Sequence, residues 1–331
     1  MATLTTSLPD KAFPHEVNAI DISATQPTSV ELRYGEKVIF KSTLYPMDGT
    51  IELRDITSLL DSYLNGSISE FSVWLDGRKA DSSTIIPCKI DLDMSAAESG
   101  DSFFLTRTTC KYTHREAKEV LYCYAMRPNF VVRALTRNGD YTRTLIFRKG
   151  ITASGIVGID VSYSTIFKNA TYEVLQYTVE IGDARVTFRM IPDGMADNVH
   201  DFGFINSFMQ QEYITLMGAA ERELKVERLH AIVGGQYTNY QVVSVPHWTI
   251  KSGEMLDGME GLFDDFISAT KVWRKNDNCE MAVTDSDFKN TDANDATCEG
   301  SVTLRETGRK YRHRLPKLVK TFDFTFDETF R

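Results

Sequence analysis

Short runs in which apolar and polar residues alternate dominate the chain between residues 29 and 147. Val30–Tyr34 and Lys37–Tyr45 are two of these runs, and turn residues bound each of them. A period of two puts successive side chains on opposite faces of a strand, so each run predicts a half-buried β-strand. Asn138 and Gly139 lie between two further runs and are the favoured pair for a tight hairpin turn. About eight such strands predict an antiparallel sandwich or barrel.

A second set of alternating runs follows the turn-rich stretch Lys149–Gly155. Val174–Ile181 with Ala184–Ile191, and Leu224–Val233 with Tyr240–Val245, are separated by short turn sequences and predict further hairpins. We therefore predict a mainly β protein with two antiparallel sandwich-like or barrel-like domains. The predicted boundaries are residues 29–150 for the first domain and 151–320 for the second.

Two segments change to a helical period, which predicts one short helix in each domain. The first has apolar residues at positions i, i+3, i+4, i+7 and i+8, namely Ile56, Leu59, Leu60, Tyr63 and Leu64. The second, over residues 253–269, has the stripe Leu256, Met259, Leu262, Phe263, Phe266 and Ile267. Such stripes are typical of amphipathic helices, and Ser252 is a suitable residue to cap the second one.

The two ends of the chain differ from the rest. Residues 1–28 have no clear period and no secretory signal, which predicts either a frayed terminus or an arm that orders against a partner. Residues 321–331 alternate strictly, so an extended strand would carry four aromatic rings on one face. These rings are the candidate interface residues Phe322, Phe324, Phe326 and Phe330. The segment is expected either to form an edge strand of its own domain or to add to a neighbouring subunit.

The charge distribution excludes some partners and suggests others. The formal net charge is −9, and a general nucleic-acid binder needs clustered Lys and Arg instead. No apolar run approaches the roughly 18 residues that cross a bilayer, so no membrane partner is expected. Residues 305–320 hold seven Lys or Arg, and residues 276–300 hold seven acids. These opposed blocks are expected to pair within the domain or between subunits.

The sequence contains none of the motifs that mark phosphate loops, serine nucleophiles or zinc proteases. The five cysteines include no close pair, and the best metal-like grouping is Cys110, His114 and Cys123. The acidic loop of residues 285–295 does not fit the EF-hand pattern. We predict no catalytic, cofactor-binding or metal-binding residues. Four weaker arrangements stay open: an irregular calcium site in the acidic loop, a Cys279–Cys298 pair, the carboxylates Glu260 and Asp264, and the sugar-stacking candidates Trp74, Trp248 and Trp273.

Three short sequence strings resemble a known family. Leu44–Ile56, Phe204–Phe208 followed by Glu212–Thr215, and Phe322–Phe330 together resemble β-rich tail or baseplate-type virion proteins of tailed bacteriophages and prophages of gut bacteria. The resemblance implies a non-enzymatic assembly component, made in the host cytoplasm and located in the virion. It also implies a homo-oligomer that contacts other virion proteins, and it carries over no catalytic residues. The alternatives are a carbohydrate-binding or adhesion module with a glycan partner, and a hydrolase with an unrecognised carboxylate pair.

Overall fold

The structure is a computed structural model that describes residues 2–126, 129–138, 141–150, 154–233, 236–289 and 297–307. Within these residues the chain forms 24 strands, three short α-helices and two 3-10 helices. Nearly all paired strands are antiparallel. The predicted fold class, a mainly β protein built from antiparallel sandwich-like units, is therefore confirmed.

The first part of the chain is a two-sheet sandwich with one helix. Its strands are β1 (Thr3–Leu4), β2 (Lys11–Ala12), β3 (Ile20–Ser23), β4 (Thr28–Tyr34), β5 (Lys37–Leu44), β6 (Thr50–Leu53), β7 (Ser69–Leu75) and β8 (Arg78–Ile85). One sheet has the order β1-β3-β6 and the other β2-β8-β7-β4-β5. Side chains of both sheets and of α1 (Ile56–Asp61) share one core, so the first predicted helix is confirmed.

Residues 2–28 belong to this first core. They supply β1, β2, β3 and a 3-10 helix at Pro14–Val17, and Val17, Ile20 and Ile22 are fully buried. This part of the chain therefore differs from the expected frayed end or free arm. The strands β1 and β2 have only two residues each and cannot show a period of two, and the alternation of Ile20–Ser23 covers the minimum of four residues.

The second part forms another pair of facing sheets. Its elements are β9 (Ser102–Phe104), β10 (Cys110–Thr113), β11 (Val120–Met126), β12 (Asn129–Asn138), β13 (Tyr141–Gly150), β14 (Ser154–Asp160), α2 (Tyr163–Ile166), β15 (Glu173–Ile181) and β16 (Ala184–Met190). The sheet orders are β14-β11-β9 and β10-β16-β15-β12-β13. The hairpins predicted for β12–β13 and β15–β16 are both present.

The boundary predicted at residues 150/151 lies between β13 and β14, inside this second core. Strands from both sides of it pair with each other, because β11 pairs with β14 and β12 pairs with β15. The turn-rich stretch near Lys149–Gly155 therefore connects strands of two sheets that share a core. That the two halves fold as separate units stays a prediction, and the pairing of strands across the boundary weighs against it.

The third part is one large sheet with a helix packed on it. Its elements are β17 (His200–Ile205), β18 (Gln211–Leu216), β19 (Ala220–Val233), β20 (Gln236–Lys251), β21 (Met255–Leu256), α3 (Glu260–Ile267), β22 (Val272–Arg274), β23 (Cys279–Lys289) and β24 (Thr297–Glu306). The sheet order is β18-β17-β22-β23-β24-β20-β19, and β21 pairs with β24. A 3-10 helix at Asp193–Asn198 precedes this sheet.

Helix α3 is shorter than the predicted segment of residues 253–269. Gly253 and Gly258 have φ values of +71° and +86°, a left-handed conformation that interrupts a helix before Glu260. Ser252 does not cap it, because its hydroxyl accepts the backbone N–H of Gly300 at 2.9 Å. The predicted stripe is otherwise correct, and Met259, Leu262, Phe263 and Phe266 are buried in the third core. The predicted C-terminal strand, residues 321–331, lies outside the described residues.

Candidate functional site

A fourth apolar cluster holds the three parts together. Phe13 comes from the first part, Phe103 and Tyr124 from the second, and Phe208 from the third, and all four are buried. The ring centroid of Phe13 lies 6.1 Å from that of Phe103 and 6.2 Å from that of Phe208. Because the strands that supply these rings are far apart in sequence, this meeting point depends on the tertiary fold.

Lys111 and Glu119 form an ion pair where the second part meets the third. The Lys111 ammonium lies 2.7 Å from a Glu119 carboxylate oxygen and donates to the Tyr213 carbonyl at 2.9 Å. Both side chains are only 1% exposed. Burial raises the pKa of Glu119, although the Lys111 charge opposes that rise. Removing one partner of such a pair leaves a buried charge uncompensated. The hydrogen bond from Lys111 to Tyr213 is the contact that ties β10 to β18.

A second buried carboxylate, Glu212 on β18, fixes the segment that follows β9. It accepts hydrogen bonds from the Thr106 hydroxyl at 2.6 Å and from the Asn206 side-chain amide at 2.7 Å. Asn206 also donates to the Leu105 carbonyl at 2.9 Å. Burial raises the pKa of Glu212, and the hydrogen bonds only partly offset the cost of its charge.

Arg107 connects the same segment to α3. One of its terminal nitrogens donates to Asp264 at 2.7 Å and to Asp265 at 3.0 Å. Asp264 is half-exposed, whereas Asp265 is buried and also accepts the Ser207 hydroxyl at 3.0 Å. Burial raises the pKa of Asp265, and its bond to Arg107 works against that rise. The segment from Leu105 to Thr108 is therefore held to the third part by two acidic anchors.

These anchors support one wall of a cavity of about 850 Å³ between the three parts, which we call the junction cavity. Its apolar wall includes Phe13, Leu92, Met94, Phe103, Phe104, Ala184, Val186 and Phe208. Its charged lining residues are Glu98, Asp101, Arg107, Asp183 and Arg185. Ligand sites typically measure about 300–1,000 Å³ and combine an apolar wall with a few polar groups, so size and lining both suit a binding site.

The carboxylates with raised pKa lie behind the wall of the junction cavity or away from it, and Glu119, Glu212 and Asp265 are not among its lining residues. Thr106 and Arg107 line the cavity and donate hydrogen bonds to Glu212 and Asp265 behind them. A general acid or base has to reach a substrate within hydrogen-bond distance. These two groups therefore position the wall, and no sequence pattern predicts them because their partners are distant along the chain.

A separate cleft contains the predicted metal-like residue His114. Its Nε2 lies 2.9 and 3.1 Å from the two carboxylate oxygens of Asp201, which also accepts the Thr215 hydroxyl at 2.9 Å. Burial opposes the charge of Asp201, but the bonds from His114 and Thr215 outweigh it and lower the pKa of Asp201. No hydroxyl or thiol of the described residues donates to His114, so this pair does not extend to a nucleophile.

The five cysteines form no disulfide bond in the described part of the chain. Burial raises the pKa of Cys88 to about 12 and that of Cys123 to about 11. Cys279 begins β23 and Cys298 pairs with Met255 near the start of β24, so the disulfide between Cys279 and Cys298 that the sequence leaves open is not formed. Among the described residues, no cluster of three or more metal-ligating side chains is present.

The other sequence candidates lie apart from the junction cavity or beyond the described chain. Glu260 accepts the backbone N–H of Gly258 at 2.8 Å, whereas Asp264 pairs with Arg107, so these two carboxylates have separate partners. Residues 290–296 of the acidic loop lie outside the described residues. So do the predicted interface residues Phe322, Phe324, Phe326 and Phe330.

The tryptophans are covered by neighbouring side chains. The Arg33 guanidinium carbon lies 4.0 Å from the Trp74 ring centroid, and that of Arg274 lies 5.1 Å from the Trp248 ring centroid. The Trp273 ring packs so closely over Gly203 that a Cβ there would lie 2.3 Å from it. A sugar ring needs an open aromatic face, and these contacts weigh against all three as stacking platforms.

The hairpin of β19 and β20 extends beyond the rest of the third sheet. These strands have 14 and 16 residues, but β20 pairs with β24 only over His247–Lys251. Beyond that point, Leu224–Val233 and Gln236–Pro246 pair only with each other among the described strands. At roughly 3.3 Å per residue this part, which we call the ribbon, extends about 30 Å. Leu224 is 53% exposed and Leu229 is 50% exposed.

Comparison with known proteins does not identify the chain. No model of a known protein family matches it, and no curated protein has significant sequence similarity to it. Among the described residues, no helix has both the length and the apolar character required to span a membrane. We therefore base the proposed function on the geometry of the molecule and on the resemblance of the three sequence strings.

Proposed function

We propose that the chain is a non-enzymatic structural component of a phage tail or baseplate-like virion assembly, and that it acts through contacts between subunits. The ribbon of β19 and β20 carries the proposal. An isolated two-stranded hairpin is marginally stable in water, and packing against a further surface is what normally stabilises one. A ribbon that pairs with no further strand of the described residues, and that carries half-exposed leucines, has the properties of an arm that docks on a neighbour.

Burial of the ribbon's leucines would stabilise a contact with a neighbour. Full burial of a leucine side chain contributes about 1.5–3 kcal/mol, and Leu224 and Leu229 are half-exposed, so a partner that covers them would gain about half of that amount for each. The outer edge of β19 also offers backbone N–H and C=O groups along its length. Edge strands of this kind are normally shortened, charged or covered, because they pair with other chains. An assembly subunit would use the same edge for a specific contact.

The test is to shorten the ribbon in the full chain. Residues 226–244 are replaced by Asn-Gly, so that the paired residues Lys225 and Val245 close a tight hairpin. Light scattering measures the mass of the particle, and thermal melting reports whether the fold is intact. We expect the wild-type chain to form an oligomer and the shortened chain to be smaller, with its main melting transition preserved.

A double substitution provides a milder version with a matched control. Leu224→Lys with Leu229→Lys places charges on the ribbon and should also reduce the oligomer. Val38→Lys changes another exposed apolar residue, 47% exposed on the edge strand β5, and should leave the oligomer unchanged. A wild-type chain that stays monomeric, or an oligomer that survives both ribbon variants, would contradict the proposal.

A further inference from the structure

The junction cavity has an excess of negative charge at its mouth. Of its charged lining residues, Glu98, Asp101 and Asp183 are acidic and Arg107 and Arg185 are basic. Arg107 is already bonded to Asp264 and Asp265, so its positive charge is compensated from behind. Asp101, Asp183 and Arg185 are exposed to solvent, which places their charges at the mouth of the cavity. When Asp264 and Asp265 behind Arg107 and the neighbouring Lys11 are counted with the lining residues, there are five acidic and three basic side chains.

The rings beside this mouth already hold one cationic group. The Lys11 ammonium donates to the Gly100 carbonyl and lies 5.9 Å from the Phe103 ring centroid and 5.5 Å from that of Tyr124. Phe103 and Gly100 are both lining residues of the cavity. Aromatic faces attract ammonium and guanidinium groups, and nearby carboxylates strengthen that attraction. The wall is therefore suited to a guest that combines positive charge with apolar groups.

The chain itself contains a segment with this composition. Residues 309–320 hold six Lys or Arg and no acid, and they also include Tyr311, Leu315, Leu318 and Val319. They follow the last described residue of β24 by a short interval, and they lie outside the described residues. The charge of the segment complements that of the cavity mouth, and its apolar side chains complement the aromatic wall.

We infer that the junction cavity is a peptide-binding site whose occupant is the basic segment of residues 309–320. The inference goes beyond the proposed function, because it does not depend on the ribbon or on the oligomer. Each partner contributes one element of the recognition. The carboxylates at the mouth attract the basic side chains, and the apolar wall distinguishes this segment from a purely charged one.

Photo-crosslinking in the full chain tests the inference. Leu315 is replaced by the photoreactive residue p-benzoylphenylalanine, and crosslinked peptides are identified by mass spectrometry after irradiation. We expect the crosslinks to fall in residues 92–109 or 182–186, which contain most of the cavity lining. Crosslinks confined to the acidic strand of residues 279–289, or the absence of crosslinks at the cavity, would overturn the inference.

Variants of the cavity separate specific binding from general attraction. Ala184→Trp fills the cavity and should reduce the crosslink yield at least tenfold, while Asp101→Lys with Asp183→Lys should reduce it at least fivefold. Glu36→Lys reverses a charge on an exposed residue away from the cavity and is the matched control. Equal yields in all these variants would overturn the inference. Light scattering on the same samples shows whether the oligomer changes, so a failure here is distinguishable from a failure of the proposed function.

Discussion

Replacement of Phe263 by alanine should damage the third core far more than replacement of the adjacent residue Asp264. The Phe263 side chain is fully buried, and its ring centroid lies 5.4 Å from Phe288 and 6.2 Å from Phe266. The ring packs against Gly300, where a Cβ would lie only 2.6 Å from it. Because strands surround the resulting cavity, it cannot collapse easily. We expect Phe263→Ala to cost about 3–5 kcal/mol of unfolding free energy.

The adjacent residue provides the control. The Asp264 side chain is 47% exposed and pairs with Arg107 at 2.7 Å. Exposed ion pairs contribute about 0–1 kcal/mol, and Arg107 keeps its bond to Asp265, so Asp264→Ala should be nearly neutral. A larger loss for Asp264→Ala than for Phe263→Ala would show that the apolar stripe is misassigned or that the carboxylate is functional.

Urea unfolding followed by tryptophan fluorescence is a suitable assay. Trp248 and Trp273 lie in the third part and Trp74 lies in the first, so a Trp74→Phe background makes the signal specific for the third core. Urea slopes of about 1–3 kcal/mol per molar convert the expected loss to a midpoint shift of about 1 M or more. An unchanged midpoint for Phe263→Ala would refute the packing argument.

Two further predictions follow from the buried carboxylate and from the second core. Because the pKa of Glu212 is raised, the folded protein binds a proton at this carboxylate more tightly than the unfolded chain does. The contribution of Glu212 to the free energy of unfolding therefore falls as the pH rises above the unfolded pKa near 4.5. Glu212→Gln should therefore gain stability relative to wild type between pH 4 and pH 7 in thermal melts, and a constant difference would contradict this. A protease site inserted at residues 151–153 should give fragments that stay associated in gel filtration, because β11 pairs with β14 and β12 with β15; separation of the fragments would favour two independent domains.

The sequence predicts the local features of this fold well. The apolar stripe of α3 and the hairpin of β12 and β13 are visible in single windows, because a helical period or a two-residue turn depends only on neighbouring residues. The start of α3 is misplaced because the left-handed glycines at 253 and 258 do not alter the apolar period. The stretch up to residue 28 shows little period because β1 and β2 have two residues each and β3 has only four.

The sites depend on contacts that no local window contains. Thr106 and Glu212 are 106 positions apart, and Arg107 and Asp264 are 157 apart. Their pairing follows from the way β9, β18 and α3 meet, so spacing rules cannot predict the anchors of the junction cavity. The ribbon of β19 and β20 could be predicted from the sequence only in part. Alternation predicts both of its strands, but only the strand order shows that they have no other neighbours among the described residues.

We propose that this chain is a subunit of a virion. Peptide mass spectrometry of density-purified phage or prophage particles, from the cells that carry its gene, shows whether the particles contain it. We expect the chain to co-purify with the particles in a fixed ratio to their other structural proteins and to resist removal by salt washing. Recovery of the chain only from the soluble fraction, with intact particles that lack it, would contradict the account.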